Sequence, residues 1–167
     1  SGDLYLEKDR FRDSADAYLH YVEQFPNTDQ APLFSVKAIN VYDKGGFPTL
    51  VLPAKEAYVK NYGINSEFWK IRDETARAFI RPNLAVYLDE LSSYRHARAL
   101  ELKKQNTAYN TKKAQGKRVS SKDEPAAATP EFLKAASLYE EFFATFPKDK
   151  KTPEMVFLMG ESFYEAG

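Results

Sequence analysis

Two residues of this chain could move a proton near neutral pH, His20 and His96, and they lie far apart in the sequence. Neither belongs to an HxH or HxxxH spacing, and there is no cysteine, so the side chains that usually hold zinc are not arranged to do so. Each histidine sits beside a tyrosine of a helical stripe, Tyr18 or Tyr94, which reads as a partly exposed structural position. No serine stands in a GxSxG setting and no glycine-rich loop could cradle a phosphate. Carboxylates are plentiful, but pairs such as Asp89-Glu90 and Glu140-Glu141 are adjacent, and adjacent helical positions face different ways. They read as solvated faces. The chain is therefore expected to have no catalytic residue, no metal site and no cofactor, and not to be an enzyme.

Charge points to one other candidate. Between Lys103 and Lys122 there are seven Lys or Arg and no Asp or Glu. Lys112, Lys113, Lys117 and Arg118 are the candidate contacts for an anionic partner, whether nucleic acid, lipid headgroup or acidic protein. Tyr109 is the one aromatic among them, so stacking on bases is poorly served and nucleic acid is not expected. A flexible, solvated insertion over 103–129 is the plainer reading, because so polar a stretch buries too little to offset its ordering entropy. Over the whole chain 24 basic residues balance 24 acidic ones, so no global field favours a polyanion. No apolar run is long enough to span a membrane. Trp69, beside Phe68, reads as core packing rather than an interface anchor.

The elements that carry these residues are helices, and they repeat. Phe11 to Gly46 slides onto Phe132 to Gly167 by 121 positions without a gap, with Phe11/Phe132, Ala15/Ala136, Tyr18/Tyr139, Phe25/Phe146, Pro26/Pro147, Pro32/Pro153 and Gly46/Gly167 coinciding. Each copy reads as a helix, a Phe-Pro turn and a second helix. In chain order the spacing predicts a helix end over 3–9 with a turn at Asp9-Arg10, then helices over about 11–24, 32–43 and 49–62. Pro53 is tolerable only in a first turn. Ser66 caps a further helix over 66–80 that holds Phe68, Trp69, Ile71, Ala76 and Phe79. Pro82 is expected to break the chain before a helix over 83–104, extending at most to Lys113. Thr129-Pro130-Glu131 and Thr152-Pro153-Glu154 restart the last two helices. No segment alternates with period two, so no sheet is expected.

Residues Gly2, Tyr5, Phe11, Ser14, Tyr18, Tyr21 and Pro26, with Phe132, Ala135, Tyr139, Phe142, Pro147, Gly160, Phe163 and Gly167, resemble the tetratricopeptide repeat. The Phe-Pro endings are similar to the variant found in bacterial envelope proteins, such as outer-membrane assembly lipoproteins and periplasmic cell-division coordinators. The resemblance covers 1–62 and 130–167 and is weak over 63–129, where the helices are irregular. It implies an all-α solenoid of antiparallel helix pairs, a right-handed superhelix of about seven or eight helices with a long flexible insertion. Over the irregular stretch the helix at 83–104 pairs either with 66–80 or with 131–146, the second being favoured. The resemblance also implies a non-catalytic scaffold that binds proteins or peptides in a groove lined by Val36, Asn40, Asp43, Phe157, Glu161 and Tyr164. The family's Lys/Asn/Arg carboxylate clamp is not present. An accessory domain that positions substrate for a larger enzyme or export machine is the alternative. The expected setting is the periplasm or outer membrane, with the cytoplasm as alternative. Because both ends fall within repeat patterns, the chain reads as an excised fragment that self-associates through its cut ends.

Overall fold

The computed structural model describes residues 2–167, and all regular structure among them is helical. The helices are α1 (Gly2–Gln24), α2 (Gln30–Lys44), α3 (Pro48–Tyr62), the five-residue α4 (Glu67–Ile71), the 41-residue α5 (Glu74–Ala114), α6 (Thr129–Thr145) and α7 (Thr152–Ala166). One 3-10 turn, Ser121–Asp123, lies between α5 and α6. Ser1, where the expected repeat array starts, lies outside the described residues. None of the helices is long and apolar enough to cross a membrane. The chain divides into a first unit up to Tyr87 and a second from Leu88.

In the first unit α1 packs on α2 and α2 on α3, each pair joined by a short loop and so antiparallel. Ala15, Ala38 and Tyr42 form the centre of that packing, with Phe47, Leu50, Val51 and Ala54 of the α3 end against them. Farther along, Tyr58 and Tyr62 meet edge to face at 5.0 Å, Tyr62 meets Phe68 at 5.0 Å and Tyr58 meets Tyr87 at 5.1 Å. Trp69 is buried, with the Arg77 and Arg81 guanidiniums over its ring at 5.1 and 5.2 Å. In the second unit α6 packs on α7. It is tied to α5 by Arg95–Glu131 at 3.2 Å and by His96, whose ring sits edge-on to both Phe132 and Tyr139.

The internal repeat is reproduced in backbone detail. The Phe25 amide donates to the Tyr21 carbonyl, and the Phe146 amide to that of Phe142, both at 2.8 Å. Thr28 to Phe25 and Ala31 to Thr28 are matched by Asp149 to Phe146 and Thr152 to Asp149. Tyr21–Phe25 and Phe142–Phe146 are tilted ring pairs at 5.0 and 5.1 Å. At the far end Gly46 and Gly167 both take positive φ, 74° and 97°, and donate to Asp43 and Tyr164, again 121 positions apart. The left-handed exit requires glycine at both places.

Elsewhere the structure departs from the sequence expectation. No turn interrupts α1 at Asp9-Arg10, since neither residue is a breaker. Pro53 is the sixth residue of α3 rather than in its first turn, so that helix forgoes one hydrogen bond. The helix expected over 66–80 is split at Arg72-Asp73. Ser66 does cap α4, accepting from the Trp69 amide at 3.1 Å, but Asp73 then starts a new helix by accepting from Ala76 at 3.0 Å. Pro82 does not break the chain. It lies inside α5, whose burial of Ile80, Leu84, Tyr87, Leu88 and Leu91 outweighs the roughly 3 kcal/mol that an internal proline costs. Residues 103–114, given by sequence either to a flexible insertion or, as far as Lys113, to the helix before it, continue α5. Thr129 and Thr152 are not caps: each is already helical, and the Thr152 hydroxyl donates to the Phe146 carbonyl at 2.5 Å.

Tyr139 is 2% exposed, whereas its repeat partner Tyr18 is only half-buried. Tyr139→Ala is expected to lower unfolding free energy by about 3–5 kcal/mol. Tyr18→Ala should cost less than half as much, both measured by urea denaturation.

Candidate docking groove

The first unit holds a cavity of about 600 Å³ walled by α2, α3, α4 and the start of α5. Its apolar surface comes from Pro32, Leu33 and Val36 of α2, Phe68 of α4 and Phe79 and Ile80 of α5. Leu33 is 52% exposed and Phe79 is 79% exposed, so two large apolar side chains stand open to water at one site. Asp29, Asp73, Thr75 and Asn83 supply its polar edge, and both charged residues of the lining are acidic. Asp73 uses one carboxylate oxygen on the Ala76 amide. Asp29 is held by the Arg72 guanidinium at 3.2 Å, while Arg72 also donates to the Asn27 carbonyl and stacks on the Phe68 ring. This clamp fixes the loop between α1 and α2 at the groove's edge.

At the back stands Tyr58, with burial holding its hydroxyl well above the usual phenol range and the Asn83 side chain as a polar neighbour opposing that shift. Tyr62 is raised for the same reason, opposed by its 3.2 Å hydrogen bond with Ser35. Neither phenol could ionise near neutral pH. The groove is thus a pre-formed, largely apolar recess with acidic edges, suited to holding a side chain and a cation rather than to transferring protons.

Of the residues that the sequence reading placed in a groove, Val36 lines this one. Asn40 and Asp43 are exposed farther along α2 and do not. Phe157, Glu161 and Tyr164 belong to the second unit, exposed on one side of α7. Lys112 and Lys113 occupy the last turn of α5, and Lys117 and Arg118 follow it. Gly116, with φ 73°, reverses the chain there, and the segment runs back along the helix. The Tyr109 hydroxyl donates to the Ser120 carbonyl at 3.5 Å and the Asn106 amide to that of Ala126 at 2.8 Å. Lys112 and Arg118 share a shallow depression with Asp123, which dilutes its positive charge. Sequence reasoning missed Leu33, Phe79, Asp29 and Asp73. Phe79 had been assigned to an apolar stripe, and the Asp73 cap that reorients it was the missing signal.

The second unit holds the most perturbed acid. Burial lifts the Glu141 carboxyl from its ordinary 4.5 to about 7. In the same unit, His96 bonds the Tyr139 hydroxyl through Nδ1 at 2.9 Å. Burial lowers the His96 pKa against the pull of Glu161 and Glu165, and raises Tyr139 to about 12. Among the described residues no group of three or more His, Asp or Glu is placed to hold a metal ion. Comparison with protein-family models, curated proteins and solved structures finds no match for this chain.

Glu141 gives a pH prediction. Its folded pKa lies above the unfolded one, so the folded state holds this proton more tightly. The associated stability is complete below about pH 4.5, falls as pH rises to about 7, and is flat beyond. Glu141→Gln should therefore raise stability at pH 8 by about 1–2 kcal/mol, a figure discounted because water reaches part of the side chain. At pH 4 it should change stability little, as read by denaturation at both pH values.

Proposed function

We propose that this chain is a protein-interaction module without chemistry of its own, whose first unit captures a short apolar segment carrying a Lys or Arg. The observation that carries this reading is the groove. It offers exposed Leu33 and Phe79 over an apolar floor, and the charges on its lining are acidic. An apolar ligand side chain entering it would remove both groups from water, at about 25 cal/mol for each Å² buried. A cation at its edge would meet Asp73, since Asp29 is already paired with Arg72, and such a contact sets orientation and specificity more than raw affinity.

The tetratricopeptide-like solenoid belongs to the same proposal. The matching Phe-Pro joints and glycine exits support it, since a packing unit reproduced at a fixed offset is how repeat proteins present extended binding surfaces. The similarity of those joints to bacterial envelope repeats supports a periplasmic or outer-membrane-associated setting.

Selection from a displayed peptide library on the intact chain tests the reading. Enriched peptides should combine large apolar side chains with Lys or Arg. Phe79→Asp, at an exposed position that cannot harm the core, should weaken their binding at least tenfold. Asp73→Asn should reduce both affinity and its salt dependence. Peptides that bind the Phe79→Asp variant as tightly as the parent would overturn the assignment.

A further inference from the structure

The buried tyrosines are not treated alike at their tips. Tyr62 and Tyr139, each 2% exposed, place their hydroxyls on Ser35 at 3.2 Å and on His96 at 2.9 Å. Tyr58 is as deeply buried, yet its hydroxyl has no hydrogen-bond partner. Among the described residues it shares that condition only with Arg72 Nε, which faces the groove residue Asp29. A buried hydroxyl left unpaired destabilises a fold, and a phenylalanine in its place would not.

The position of Tyr58 supplies a use for that hydroxyl. It lines the back of the first unit's recess together with Asn83 of α5, whose side chain stands near the hydroxyl without bonding it. The lining around them is apolar, from Leu33, Val36, Phe68, Phe79 and Ile80. A hydrogen bond made there meets little competition from water, and a ligand without an acceptor leaves the hydroxyl as stranded as before. Because burial raises its pKa, the phenol stays protonated at neutral pH and can only be a donor or a neutral acceptor.

Resting on the reading of this groove as a peptide site, we propose that the Tyr58 hydroxyl donates to a main-chain carbonyl of the captured segment and so fixes how that segment lies. The chemistry of the segment selects the carbonyl. Apolar side chains carry no acceptor and Lys or Arg carry donors alone, so the acceptors that such a segment brings are those of its backbone. The hydroxyl is covered in the free chain, and the bond forms as the neighbouring Asn83 side chain turns aside.

Two measurements on Tyr58→Phe test this. In urea denaturation of the free chain the variant should unfold at the same midpoint as the parent or a higher one, since it loses no internal bond. In calorimetric titration with the peptides enriched from the displayed library, its affinity should fall roughly three- to tenfold. Replacing the peptide carbonyls one at a time by thiocarbonyls, which are weaker acceptors, should reveal one position that weakens binding to the parent and not to Tyr58→Phe. A Tyr58→Phe chain that binds as tightly as the parent overturns the inference, and if Phe79→Asp still weakens the same peptides the groove reading stands without it. A lowered midpoint also overturns it, because the hydroxyl would then be bonded within the free chain. So does a carbonyl scan with no position coupled to Tyr58. Peptides indifferent to Phe79→Asp, or a selection that enriches none, remove the groove reading and this inference together.

Discussion

A helix with two apolar stripes cannot be satisfied by one neighbour, and this constraint organises the molecule. The second helix of each hairpin, α2 and α7, turns one stripe to its hairpin partner and has another left over. In the first unit α3 takes up that remainder, and the small residues Ala31, Ser35 and Ala38 keep α2 narrow enough to be packed from two sides. The tyrosines then become structural. Their rings reach across between helices, and the Tyr62 and Tyr139 hydroxyls find Ser35 and His96 instead of being stranded in an apolar core. The groove follows from the same geometry. Below the contact of Tyr42 with Phe47, α2 and α3 are separated by the ring cluster of Tyr58, Tyr62 and Phe68, and the recess opens beside it.

The repeat was legible because its marks are local. Phe-Pro endings and glycine exits act through their own backbone, so a gapless match of residues became a match of hydrogen bonds. The middle was not legible because tertiary packing overrode local signals there. Pro82 reads as a stop, yet apolar residues on both sides of it are buried, and their packing carries the helix through. Asp73 gave the opposite error. Asp73, followed by Glu74, stands inside a pattern that reads as one helix over 66–80, yet its side chain founds a new helix and cuts the predicted one in two. That one cap moved Phe79 from an expected core position to the mouth of the groove, which is why of the groove residues named from sequence only Val36 lines this recess. The polar composition of 103–114 suggested disorder, but residues such as Lys, Gln and Ala are good helix formers, and extending an existing helix avoids the cost of a new nucleus.

The two hairpins share a backbone plan and differ in what they ask of a neighbour. Ser35 offers α3 a hydroxyl, which Tyr62 accepts or donates to. Its counterpart Val156 offers only hydrocarbon. Ile39 fills space that Gly160 leaves empty, while Tyr42 and Phe163 keep the same ring with and without a polar tip. A helix shaped for α2 would thus leave a cavity and an unpaired hydroxyl on α7, and each of these costs free energy. The repeat keeps the architecture constant while these few substitutions choose the occupant. That separation of frame from specificity follows from packing alone, because the joint residues act within their own turn and the stripe residues act only across an interface.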